Sequence, residues 1–202
     1  MDTTGPLLSF FLYHRSMRNG ADRLAKALAT ADRASTFAPW FAHYRQACIL
    51  HAAGEDGVLW PALATARGDV APLIADMDAE HDELDGVLAE LEAALVDDRL
   101  DDARRLTDRL VTVVQRHLDH EEADAVPLVV ASLGDHLPDV VREIQQSAGP
   151  EGASVAIPFF LEQATDEERS AFLAAVPPPV REGYEGAWRD AYGQLVAVLG
   201  SA

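Results

Sequence analysis

The chain is poor in cysteine, in basic residues and in long apolar runs, and each shortage excludes something. Its 202 residues include one cysteine, Cys48, so no internal disulfide can form, which suits a reducing, cytoplasmic setting. Lys and Arg number 16 against 34 Asp and Glu, a net charge of −18. Phosphates and anionic lipids repel such a charge, so neither nucleic acid nor a membrane surface is expected as a partner. No apolar run approaches the ~20 residues that span a bilayer. Met1-Asp2-Thr3-Thr4 lacks the basic start of an export signal, and Leu7 to Tyr13 is too short for its apolar core. Alternating β-branched residues are nearly absent before residue 147, which leaves little from which to build strands.

What is there instead is Ala, Leu, Arg and Glu, spaced for helices. Four long segments are predicted. The first runs near Pro6 to Ala29, with Leu7, Phe10, Phe11, His14, Met17, Leu24 and Leu28 at steps of three and four. The second opens at Ser35-Thr36, with Pro39 suited to a first turn, and reaches about Ala66. The third spans about Pro72 to Val96, and the fourth about Asp101 to Leu133, stopping at Gly134. Short connections make neighbours antiparallel, so the expected architecture is all-α, an up-down-up-down four-helix bundle over residues 1–146. Residues 147–202 read as a linker, Ser147 to Ser154, and a helical extension. In that extension Thr165-Asp166-Glu167-Glu168 has capping-box form, and Val180, Tyr184, Trp188, Tyr192, Leu195 and Leu199 make a stripe. The stripe is expected to cover the bundle or to form a homodimer surface.

An internal repeat sharpens this. His51-x-x-x-Glu55-Asp56 is followed by Pro61, and His117-x-x-x-Glu121-Glu122 by Pro127, each Pro ten residues after its His. His14 and His81 precede these motifs by 37 and 36 residues, and each has Leu at +10 and +14. A two-helix hairpin therefore recurs at 66 to 67 residues, and two such hairpins face to face make a pseudo-symmetric bundle.

Residues four apart share a helix face, so His51 with Glu55, and His117 with Glu121, each aim an imidazole and a carboxylate together. Leu59, Leu110 and Val113 continue the same faces, which turns these pairs inward. A single His on an apolar face is usually a hydrogen-bonded core residue. Four His and two Glu at repeated spacing need something positive among them, and the economical answer is metal. Imidazole with carboxylate suits Fe, Zn, Mn or Cu rather than Ca or Mg. Six ligands exceed the four of a closed zinc site, which points to two ions. Glu-x-x-His pairs, His-Glu-x-x-His, a P-loop, a dinucleotide fingerprint and a nucleophile elbow are all absent.

These residues, His14, His51-x-x-x-Glu55-Asp56-x-x-x-x-Pro61, Glu80-His81 and His117-x-x-His120-Glu121-Glu122-x-x-x-x-Pro127, resemble the hemerythrin-like (HHE cation-binding) family across about residues 6 to 133. More loosely, Ile157-Pro158-Phe159-Phe160 and Trp188-x-x-x-Tyr192 resemble C-terminal extensions of actinobacterial members. The resemblance implies a non-haem di-iron centre, two Fe ions joined by an oxo or hydroxo bridge. It would make Glu55 and Glu121 the bridging carboxylates and His14, His51, His81 and His117 the terminal ligands. It also implies O₂, peroxide or NO as partners, and oxidoreductase chemistry on a small molecule, peroxide or NO. A non-catalytic O₂, NO or iron binder for sensing or storage is the alternative, although the tail carries no recognisable output domain.

The oxygen-carrying members have a second His four residues after the third-helix His, where this chain has Asp85. Either Asp85 binds, making the site more anionic, or it faces solvent and leaves a position open. Both disfavour simple reversible O₂ carriage. Tyr44, seven residues before His51, can gate the pocket or simply fill the core. His120 and Glu122 flank the ligands as outer-sphere or surface residues, His43 and His136 read as surface, and Cys48 as packing.

Overall fold

The computed structural model describes residues 5–200, so the expectation about Met1 to Thr4 lies outside the described residues. Four helical rods carry the bundle. The first is α1 (Leu8–Thr30). The second is α2 (Ala38–Gly54), a π turn (Glu55–Leu59) and α3 (Trp60–Ala66) in one continuous run. The third is α4 (Ala71–Val96). The fourth repeats the second: α5 (Leu100–His120), a π turn (Glu121–Ala125) and α6 (Val126–Leu133). The all-α bundle is thus as the periodicity predicts, and no strand occurs among the described residues.

Both π turns have a cause in the repeat. Pro61 and Pro127 have no N–H to return to the carbonyl four residues back, so the α ladder must break there. The break is absorbed by one wide turn in each rod, with Trp60 N–H bonded to Glu55 O and Val126 N–H to Glu121 O. Each wide turn begins at the glutamate of the repeated motif.

The core falls into two apolar layers. The larger holds Leu12, Met17, Phe41, Tyr44, Leu88, Leu91, Leu110 and Val114 among others. The smaller holds Leu7, Leu59, Trp60, Leu63, Met77, Val126 and Val129. Along the second, third and fourth rods the histidines and glutamates of the repeat lie between the two layers. The polar residues are therefore walled in from both ends of the bundle.

The tail departs from expectation at its start. The expected linker, 147–154, is helical almost throughout: α7 (Leu137–Ser147) runs to Ser147, and α8 (Gly149–Leu161) starts at once. Gly149 makes the break with a φ of 64°, which glycine adopts without steric cost, and Pro150 then suits a first turn. After α8 come α9 (Asp166–Ala175), α10 (Pro178–Gly183), a π turn (Tyr184–Trp188) and α11 (Arg189–Val196). The capping box at the start of α9 forms, with Thr165 Oγ1 accepting from Glu168 N–H and Glu168 accepting from Thr165 N–H. Phe159 and Phe160 of α8 pack on Tyr13 with ring centroids 5.5 Å away in each case. Tyr184 and Tyr192 from the stripe are buried in the same large core. The tail spends its apolar face on its own bundle, pinned by Arg15–Glu168 and Arg23–Glu162 ion pairs.

Candidate metal centre

His14 on α1, His51 at the end of α2, His81 on α4 and His117 on α5 are all buried, as are Glu55 and Glu121 at the two π turns. They converge as two groups. His14, His51, Glu55 and Glu121 each bring one ligand atom within 4.8 Å of the others, and so do Glu55, His81 and His117. Glu55 belongs to both groups, whereas Glu121 belongs to the first alone. The Glu121 carboxylate nonetheless also acts on the His117 imidazole of the second group.

The atoms that meet have no other business. Nε2 of His14, His51, His81 and His117 and both oxygens of Glu55 and Glu121, eight buried atoms, lack any hydrogen-bond partner. His51 Nε2 lies 2.9 Å from Glu55 Oε1, His81 Nε2 3.3 Å from Glu55 Oε2, and His14 Nε2 3.1 Å from Glu121 Oε2. These are ion-pair distances without hydrogen-bond geometry: the lone pairs aim at a common space rather than along N–H directions. A buried unsatisfied polar atom costs about 1–3 kcal/mol, so eight amount to roughly 10 kcal/mol, comparable with the stability of a whole domain. A cation at each group removes that cost, and the nitrogen and oxygen donors fit one.

The other face of the imidazoles is held by carboxylates. His14 Nδ1 donates to Glu122 at 2.7 Å, His81 Nδ1 to Asp56 at 2.9 Å, and His117 Nδ1 to Glu80 at 3.0 Å. Glu80 also accepts from His120 Nδ1 at 3.1 Å. A proton fixed on Nδ1 leaves Nε2 as the ligand atom, and the carboxylate behind raises its basicity. His51 has an aromatic neighbour instead: Tyr13 stacks on it at 4.9 Å and donates its hydroxyl to Ala47 O at 3.0 Å.

Electrostatics of the metal-free arrangement follow from the same contacts. Burial alone would lower the His14 imidazole, but Glu121 and Glu122 raise it to about 9. Burial likewise opposes charge on His81, yet Asp56 and Glu55 raise it to about 10. Burial favours the neutral Glu55 carboxyl, and His51 and His81 outweigh it, holding Glu55 far below the usual carboxylate range. Protons on imidazole here occupy the place of cations.

Other expectations sort as follows. Glu122 and His120 are half-buried and bonded to the site histidine or to its carboxylate. Tyr44 is a core residue, not a gate: it is wholly buried and its hydroxyl donates to Met17 O at 2.9 Å. Asp85, left open between a ligand and a solvent-facing residue, is exposed and lies in neither group. From His81 the buried row of α4 steps by three to Leu84 and then by four to Leu88, so the i+4 position passes the edge of the buried face. Asp85→Asn should accordingly leave metal content unchanged, by elemental analysis of the purified protein. Tyr13, Asp56 and Glu80 are the contributors that spacing alone did not single out. The signal was present, since Asp56 aligns with Glu122 in the repeat and Glu80 with Tyr13.

An all-α bundle closing on buried imidazoles and carboxylates whose ligand atoms are unpartnered defines a metal-binding helical protein. Residues 9–129 match the family model described as Hemerythrin HHE cation binding domain, and the chain belongs to that family. No curated protein and no solved structure matches the chain. No helix among the described residues is long and apolar enough to cross a membrane.

Proposed function

We propose that the protein is a cytoplasmic non-haem di-iron protein whose bundle, residues 1–146, carries oxidative chemistry on O₂, peroxide or NO. The tail, residues 147–202, serves as its cover. The observation that carries this reading is the set of eight unpartnered buried atoms at two overlapping donor groups. His14, His51, Glu55 and Glu121 would hold one iron, and Glu55, His81 and His117 the other. When bound, the pair of ions supplies two one-electron redox equivalents next to each other.

The chain's own residues prepare that chemistry. Asp56, Glu80 and Glu122 hold the Nδ1 protons, so each imidazole presents its lone pair inward. Phe10 lies over His14 at 4.0 Å and Tyr13 over His51, which keeps bulk water from that side. Asp85, exposed, contributes no seventh ligand, so a position stays free for a reacting molecule. That favours turnover over reversible carriage. Anaerobically reduced, iron-loaded protein mixed with O₂ and with peroxide in a stopped-flow instrument tests the reading. Rapid reoxidation with consumption of peroxide supports it. A long-lived oxygenated form that releases O₂ under vacuum argues for carriage instead.

A further inference from the structure

The π turn of the tail, Tyr184–Trp188, has no proline after it, so the cause that widens the other two is absent. What it changes is the placing of two side chains. On a regular α-helix, residues five apart lie about 140° apart round the axis. Here Arg189 N–H bonds to Tyr184 O, five residues back, and the wider turn swings Arg189 toward the side of Tyr184. Both line one cavity of about 360 Å³, bounded by α8, α9, the π turn and α11. That volume lies within the ~300–1,000 Å³ common for small-molecule sites.

Most polar groups of the lining are already engaged. Glu162 accepts from Arg23 at 2.7 Å and from the Tyr192 hydroxyl at 3.2 Å, so both of its oxygens are taken. Arg169 donates to Leu161 O, Ala164 O and Asp166. Two groups are left over. Tyr184 is only 4% exposed, yet its hydroxyl has no hydrogen-bond partner among the described residues. Arg189 bonds to the adjacent Asp190 alone, whereas Arg169 and Arg181, the other arginines of the tail, each bond to another element. Gly193 also lines the cavity, within α11, where glycine weakens a helix. A Cβ there would meet nothing within 4 Å, so packing does not require the glycine, and its effect is to widen the cavity.

From these observations we infer that the tail carries a binding site for a small carboxylic acid with an apolar body, its carboxylate held by Arg189 and Tyr184. A carboxylate presents two oxygens that suit the flat guanidinium fork, and one of them can also accept from the phenol hydroxyl. Pro158, Leu161 and Val196 line the same cavity and take the apolar remainder. The sign of charge fits, since the lining holds two arginines against one glutamate in a chain of net charge −18. One spare guanidinium matches one negative charge rather than the two of a phosphate monoester. None of these residues belongs to either donor group, so the site stands apart from the metal centre.

Calorimetric titration of the full-length chain with phenylacetate, 3-methylbutanoate and hexanoate tests this, with 2-phenylethanol and phenethylamine as partners that keep the apolar body and lack the carboxylate. At least one acid should saturate a single site per chain, and the alcohol and the amine should bind about tenfold more weakly or worse. Arg189→Gln and Tyr184→Phe should each weaken the acid by about tenfold, the loss of one hydrogen bond to a charged group. Neither should disturb the fold, because the Arg189 side chain is 59% exposed and the Tyr184 hydroxyl bonds to nothing, and circular dichroism checks this. Gly193→Leu, which fills the cavity and favours the helix, should abolish binding. Failure of all three acids to bind, equal affinity for the alcohol, or affinity unchanged in Arg189→Gln and Gly193→Leu would each overturn the inference. Every one of these outcomes leaves the two-ion reading of the centre in place.

Discussion

Glu55→Ala is expected to leave the chain with almost no bound metal while its helices persist. Glu55 is the one residue present in both donor groups, so its loss strips the His81 and His117 group to two imidazoles and takes a quarter of the donors from the other. An outer-sphere partner of a ligand is worth about 10–100-fold in metal affinity, and the shared ligand itself should exceed about 100-fold. Glu121→Ala should also lose metal, because Glu121 is one of the four donors of the His14 and His51 group and its carboxylate also acts on His117. Metal per chain after desalting should therefore fall close to zero for Glu55→Ala and drop clearly for Glu121→Ala. Circular dichroism should show the helices intact, since the apolar layers on either side do not depend on either glutamate. Undiminished metal in Glu55→Ala would falsify its assignment as the shared ligand.

Metal removal should lower the melting temperature substantially, and by more at alkaline than at mildly acidic pH. One ion held at ~1,000 times its dissociation constant stabilises the fold by about 4 kcal/mol. For a domain of this size each kcal/mol moves Tm by about 2–4 °C, so a shift on the order of 10 °C or more is expected. The pH dependence comes from the protons that stand in for metal. His14 and His81, raised to about 9 and about 10, stabilise the metal-free fold fully below the ordinary imidazole value of 6.5. That contribution disappears as pH climbs through the raised values. Glu55 works in the opposite sense, since its depressed carboxyl stabilises above 4.5 and loses this as acid protonates it. The metal-free chain should thus be most robust between about pH 4.5 and 6.5, and the gap to the loaded form should widen from about pH 6 to 9. Loading should release protons throughout that range. Calorimetric scans with and without chelator, at several pH values, measure both effects, and a gap independent of pH would count against the protonated imidazoles.

Much of this protein was legible in its sequence because helices and their ligands are local. Residues four apart share a face whatever surrounds them, so His51 with Glu55 and His117 with Glu121 announced inward-pointing donor pairs, and the repeat announced two hairpins. Two of the three π turns also have a local cause in Pro61 and Pro127, whose missing N–H is a property of the residue itself, whereas no proline follows the third, Tyr184–Trp188. What lies between rods was not legible, because it depends on how the rods are set against one another. The depth of Asp85 turned on whether the buried row of α4 steps by three or by four after His81, and packing against α5 and α2 decided that. That Asp56 backs His81, and Glu80 backs His117, required helices distant in sequence to meet at a common level. The tail shows the same divide: its capping box was readable residue by residue, whereas its hold on Tyr13 exists only once α8 lies on α1. Spacing along one helix could supply the ligands in matched pairs. Only the tertiary structure, by setting the four rods against one another, brought those six side chains into two overlapping donor groups that share Glu55.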